Sequence, residues 1–215
     1  MSVGAVFLDV GETLASESRM WAEWADWLGV PRLSFFAALG AVIERREHHR
    51  RVFDVFRPGF DIRRARAERA AQGRPDRSIM PEDVYADAVP CVLELKRRGY
   101  VVGIVGNQPV EAEQVFRSMG VPADHVASSA GWGVEKPSPE FFGRIVALAG
   151  LPAERIAYVG DRLDNDVLPA MAAGLVGVFL RRGPWGIVQG GWPEAARARL
   201  RVETLSELPD ALDRL

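Results

Sequence analysis

Asp9 follows a short apolar run directly, in Val6-Phe7-Leu8-Asp9-Val10-Gly11-Glu12-Thr13-Leu14, so a carboxylate stands at the tip of what reads as a buried strand. A second apolar run ends in Gly106-Asn107-Gln108-Pro109, bringing a side-chain amide and a helix start, both suited to an anion, to another strand end. A third ends in Gly160-Asp161-Arg162-Leu163-Asp164-Asn165-Asp166, where three carboxylates in six residues make a nest for a hard divalent cation. Open α/β sheets bind their ligands at the carboxyl ends of their strands, so these features converge on one chemistry.

Those tips need strands behind them and helices between. Runs rich in Val and Ile recur at Ala5 to Leu8, Tyr100 to Val105, Ile156 to Val159 and Val176 to Leu180, the rhythm of a parallel sheet. Pro109 introduces a helix over Val110 to Met119 and Pro139 one over Glu140 to Ala149, closed by Gly120 and Gly150. About ninety residues separate the first strand from the one ending at Val105, far more than a crossover helix needs, so an inserted subdomain is implied. Its content reads as helical, with Trp21, Trp24, Trp27 and Leu28 at helical spacing and a long stretch from Ser34 to Phe56. The expected architecture is therefore α/β: a Rossmann-like parallel sheet flanked by helices in residues 1–14 and 86–215, with an α-helical cap in residues 15–85. Glu82 to Arg98 reads as the helix returning to the sheet, kinked or restarted at Pro90. Gly183 to Pro193, with four glycines and two prolines, reads as a loop.

With these motifs in this order, the sequence resembles the haloacid dehalogenase-like hydrolase superfamily from Ala5 to Leu180. Asp9 with Thr13 matches the first motif, Asn107 loosely the second, Lys136 in Glu135-Lys136-Pro137 the third, and Gly160, Asp161 and Asp166 the fourth. The resemblance implies an enzyme of the phosphatase-like branch, acting on a small phosphorylated metabolite through a covalent aspartyl intermediate on Asp9. It implies Mg²⁺ held by the Asp9 carboxylate, the Gly11 backbone carbonyl and Asp161, with Asp166 a direct or water-mediated partner. Thr13, Gly106, Asn107 and Lys136 would then bind the transferring oxygens. Lys136 stands out by composition, since the chain has 25 arginines and only two lysines, Lys96 and Lys136. A compact ammonium reaches a carboxylate and a phosphoryl group where the broad guanidinium fork cannot.

The pattern also breaks. The family's phosphatases usually carry a second aspartate two residues after the nucleophile as general acid and base, and this chain has Gly11. Positioned acid or base catalysis is worth about 10²–10⁴-fold, so slow turnover or good leaving groups are expected. Glu12 is offset by one residue and reads as a turn residue before a substitute. Gly106 stands where the second motif usually ends in Ser or Thr, leaving only its backbone N–H. Two alternatives stay open: a 2-haloacid dehalogenase-like hydrolase, and a weakened fold that binds without turnover. Paired Asp161 and Asp166 favour the metal-dependent reading, because a metal-free site gains little from clustered negative charge.

A net charge of −2 gives no cationic field for nucleic acid or anionic lipid, and no run reaches membrane-spanning length. The single cysteine, Cys91, lies among Val89, Val92 and Leu93, reads as a buried thiol, and fits a cytoplasmic location. Residues 44 to 77 hold eleven arginines and six acids, an excess of +5 against −7 for the remainder, and read as a solvated face. His48 and His49 read as surface residues, Trp21, Trp24 and Trp27 as the cap's own core, Asp164 as a turn or helix-capping residue, and His125 as structural, near the start of a short strand.

Overall fold

The computed structural model of the chain describes residues 2–76 and 79–215. The chain divides into two compact units, Met1–Ser16 with Ile79–Leu215, and Glu17–Ser78. The first strand, β1 (Ala5–Leu8), belongs to the larger unit and is buried along its whole length.

The smaller unit contains α1 (Ser18–Leu28), α2 (Arg32–Glu44), α3 (Arg51–Phe56) and α4 (Ile62–Ala71). Gly29, in the left-handed region at φ +71°, stops α1. The stretch Ser34 to Phe56 is two helices rather than one, broken where Arg46 takes φ +59°. Trp21 and Trp24 gather Phe35, Phe53 and Phe60, with Phe53 and Phe60 stacked at 4.7 Å. This unit thus has an aromatic core of its own, supplied by the tryptophans at helical spacing. Buried Arg69 lies 4.1 Å over the Trp24 ring, with Glu23 and Asp76 as ionic partners.

The larger unit continues through α5 (Ala88–Arg97), β2 (Val101–Gly106), α6 (Val110–Ser118), β3 (His125–Ser128), α7 (Ser129–Trp132) and α8 (Pro139–Ala149). It closes with β4 (Ile156–Gly160), α9 (Leu168–Ala172), β5 (Val176–Leu180), α10 (Gly183–Gln189), β6 (Leu200–Val202) and α11 (Leu208–Leu212). The six strands form one parallel sheet in the order β3-β2-β1-β4-β5-β6. Both faces are covered, which explains the unbroken apolar runs. Val6, Leu8, Val102, Ile104 and Val159 meet α5, α6 and α11 on one face. Ala5, Phe7, Val105 and Tyr158 meet Phe141, Phe142 and Ile145 of α8 on the other.

Two local expectations change. The segment Gly183 to Gln189 is a helix: Pro184 supplies the fixed φ of its first turn, and Gly186 lets it approach the Leu180–Arg181 backbone where a side chain would collide. The helix expected from Glu82 starts only at Ala88, so Pro90 sits in its first turn, where the missing N–H costs nothing. Residues 83–85 instead bond to the turn after β1: Ser16 N–H to Asp83 O at 2.8 Å, Tyr85 N–H to Leu14 O at 2.9 Å, and an Ala15–Val84 bridge. Among the described residues, no single helix is long and apolar enough to cross a membrane.

Candidate active site

The order of the strands reverses at β1, which lies between β2 and β4, and the tips of these three strands carry the polar edge. The Asp9 N–H makes the last rung of the sheet there, to Val159 O at 2.9 Å. Asp9, Lys136, Asp161 and Asp166 are all buried. The Lys136 ammonium donates to Asp9 Oδ1 at 2.5 Å and to Asp166 Oδ1 at 2.6 Å. Behind it lie the rings of Tyr158 at 5.3 Å and Phe141 at 5.9 Å, and the Tyr158 hydroxyl donates to Val105 O at 2.9 Å. A cation so placed is stabilised by carboxylates and by π faces together.

The backbone of Lys136 is held as firmly. Asn107 Oδ1 accepts from the Lys136 N–H at 2.8 Å, and Asn107 Nδ2 donates to the Lys136 carbonyl at 2.9 Å. The residue expected to bind transferring oxygens therefore uses its oxygen and one N–H to position the lysine, with one N–H left. The start of α6, read as suited to an anion, already carries Glu111 and Glu113 in its first turn, so the helix dipole has its own negative charge.

Gly106 leaves room rather than binding through a side chain: a Cβ there would lie 2.5 Å from Asp9 Oδ1. Gly11 pairs with Ala15 in a short bridge within the turn after β1. Thr13 is buried in the same turn, and its Oγ1 has no hydrogen-bond partner.

The Asp161–Asp166 segment is shaped by a wide helical turn over Leu163–Val167, in which the Val167 N–H reaches back to Arg162 O at 3.1 Å. This turns Asp161 and Asp166 towards Asp9, so that one oxygen of each lies within 4.8 Å of the others. Asp164 faces elsewhere, on the Arg162 guanidinium at 2.6 Å and on Gln189 Nε2 at 2.8 Å, which agrees with its reading as a turn residue. Sequence reasoning missed Gln189, which also accepts the Leu163 N–H at 2.6 Å, and missed Tyr158, whose signal was one polar aromatic in an aliphatic strand.

Burial pushes the Asp9 carboxyl up to about 6, with Lys136 opposing and Asp166 assisting. Burial and the charges of Asp166, Asp9 and Glu12 hold Asp161 well above the carboxylate range. Burial favours a neutral Lys136, but the Asp166 and Asp9 charges prevail and keep it firmly an ammonium. Three carboxylates thus face one ammonium, a surplus of negative charge that a bound cation would relieve.

A divalent cation fits this donor set. Asp161 Oδ2 is buried without a partner, which is costly unless something binds there, and all the side-chain donors are hard oxygens. Asp9, Asp161 and Asp166 are the residues placed to hold it. His48 and His49, with rings 4.3 Å apart, belong to no such cluster among the described residues.

A sheet of this order with a carboxylate, lysine and acidic loop on its edge defines a haloacid dehalogenase-like hydrolase. The model of that family matches residues 3–174, and the chain belongs to it. It is 33% identical over 202 residues to a glyceraldehyde 3-phosphate phosphatase of Methanopyrus kandleri, covering 85% of this chain and 86% of that one. It is 30% identical over 129 residues to a phosphoserine phosphatase of Thermus thermophilus, covering 58% and 49%. Among solved structures, a magnesium-bound haloacid dehalogenase-type hydrolase of Bacillus subtilis superposes with a TM-score of 0.69 at 17% identity, over 99% of this chain and 100% of that one. The protein is a hydrolase.

Proposed function

We propose that this hydrolase is a phosphatase of a small phosphorylated metabolite, dependent on a divalent cation, with Mg²⁺ the cation, and working through an aspartyl-phosphate on Asp9. The observation that carries the reading is the buried Lys136 ammonium bridging Asp9 and Asp166, with the unpartnered Asp161 oxygen in the same cluster. A metal-free dehalogenase would leave that oxygen buried and unsatisfied.

An Asp9 carboxylate oxygen attacks phosphorus in line, forming a bond to it as the bond to the alcohol oxygen breaks. The departing oxygen takes its proton from water, since Gly11 offers no side chain for the purpose. Water then attacks the phosphorus as the bond from phosphorus to the Asp9 oxygen breaks, its proton going to the hydroxide left by the first step, which restores Asp9 and releases phosphate. The Lys136 ammonium, held by two carboxylates, offsets negative charge on the phosphoryl group. The Thr13 hydroxyl, the Gly106 N–H and the free Asn107 N–H supply the remaining donors. When bound by Asp9, Asp161, Asp166 and the Gly11 carbonyl, a divalent cation supplies charge neutralisation for the phosphoryl oxygens. Loss of a positioned acid confines efficient turnover to esters with good leaving groups, or slows it by about 10²–10⁴-fold.

Hydrolysis of 4-nitrophenyl phosphate, glyceraldehyde 3-phosphate and phosphoserine, with and without Mg²⁺, tests the reading. Turnover that requires the cation and vanishes in Asp9→Asn is expected. Activity that persists without divalent cation, or survives in Asp9→Asn, refutes the mechanism.

A further inference from the structure

Glu12 sits in an unfavourable place. The turn after β1 is closed by Leu14 and Ala15 N–H groups on Val10 O, both at 2.9 Å, and by the Glu12 N–H on Ala15 O at 2.7 Å. This closure puts Glu12 at φ +51°, the left-handed region that suits glycine and strains a residue with a long side chain. A glycine there would remove the strain, yet the chain has a glutamate.

The surroundings are fitted to that glutamate. Glu12 is only 3% exposed, and its Oε2 accepts from the Tyr85 hydroxyl at 2.5 Å. A Cβ at Gly183 would lie 2.6 Å from Glu12 Oε2 and 2.7 Å from its Cβ and Cγ, so only glycine leaves it space. The next residue is held from the same side: Arg182 Nη1 donates to the Thr13 carbonyl at 3.1 Å, while its guanidinium lies 4.3 Å over the Tyr85 ring and pairs with Asp87. Two segments far apart in sequence, 85–87 and 182–183, thus grip residues 12 and 13. The turn they grip begins at Asp9 and carries the buried, unpartnered Thr13 hydroxyl.

From this geometry we infer that Glu12 is a positioning residue for the phosphoryl-transfer site, a brace that fixes the Asp9–Thr13 turn through Tyr85. Gly11 already lacks a side chain, and a second glycine beside it would give the middle of the turn the largest backbone freedom available, with buried Val10 and Leu14 anchoring only its flanks. The brace holds the Thr13 hydroxyl and the Asp9 carboxylate in one orientation and accepts local strain to do so. The brace is a hydrogen bond, so it needs the acceptor oxygen that glutamate and glutamine share.

The inference rests on the aspartyl mechanism, and the test separates the two. Glu12→Gly, Glu12→Gln and Tyr85→Phe are compared with the wild type for Mg²⁺-dependent hydrolysis of 4-nitrophenyl phosphate, with folding checked by circular dichroism and melting. Glu12→Gly and Tyr85→Phe are each expected to lower kcat about tenfold, the scale of a small misalignment of reacting groups. KM should stay within about twofold, since orientation in the transition state is what is lost. Glu12→Gln, whose amide oxygen still accepts from Tyr85, should retain most of the wild-type kcat. The double variant Glu12→Gly with Tyr85→Phe should fall by less than the product of the two single effects, because the singles share the Glu12–Tyr85 bond. Wild-type kcat in Tyr85→Phe overturns the brace, as does a Glu12→Gln variant as slow as Glu12→Gly, which would mean that the charge itself acts. Activity in Asp9→Asn instead overturns the underlying mechanism and leaves the positioning result to stand on its own.

Discussion

A lysine gripped at both ends, by carboxylates on its ammonium and by Asn107 on its peptide, has little freedom to adapt to a changed neighbour. Asn107→Asp keeps the acceptor for the Lys136 N–H but turns a carboxylate oxygen towards the Lys136 carbonyl. The variant should lose about 1–3 kcal/mol of stability and most of its turnover, read by chemical denaturation and steady-state kinetics. Asp9 makes a prediction of opposite sign to the usual acid denaturation. Its carboxyl is raised from 3.8 to about 6, chiefly by burial, so the metal-free fold keeps a proton that the unfolded chain has released. That contribution is whole below 3.8 and gone once the pH passes about 6. The melting temperature of metal-free wild type, measured relative to Asp9→Asn, should therefore fall as pH rises through this window, and added Mg²⁺ should oppose the fall.

The acidic loop and α10 meet through one amide. Buried Gln189 receives the Leu163 N–H and donates to Asp164, so it helps decide which two of three neighbouring carboxylates turn towards Asp9. Gln189→Leu leaves the Leu163 N–H buried without a partner and leaves Asp164 held by Arg162 alone. Weakening of Mg²⁺ binding by about tenfold in calorimetric titration is expected, with a stability loss of about 1–3 kcal/mol. Little of this was legible beforehand. The strand tips at Asp9, Asn107 and Asp161 could be read because two-sided burial makes each strand a continuous apolar run that ends abruptly at a polar residue. Helix α10 could not, because its glycines serve close backbone packing at Gly186 and the corner at Gly183, and composition alone takes them for loop. The short strand β6 was hidden for a related reason: it has three residues, and Arg201 among them is exposed. Nor could spacing along the chain show that Tyr85, 73 positions away, closes on Glu12.

Across the whole molecule, one residue reports on the integrity of the larger unit. Cys91 is the only thiol, buried on α5 and pushed up to about 12 by burial, with Asp87 adding and Arg182 opposing. A thiol so protonated is a poor nucleophile. The native protein should resist maleimide, and guanidinium should release one reactive equivalent per chain; rapid labelling of folded protein would contradict the packing of α5. The smaller unit, with its aromatic core, leaves and rejoins the larger one beside the Ala15–Val84 bridge and the Ser16-to-Asp83 hydrogen bond. An excursion whose two feet are laced together spans no distance, and doubling its length adds only about 0.6 kcal/mol of closure entropy. Genetic exchange can therefore lengthen, prune or replace that excursion while the reacting edge stays in register, so descendants of this chain are open to piecewise retailoring.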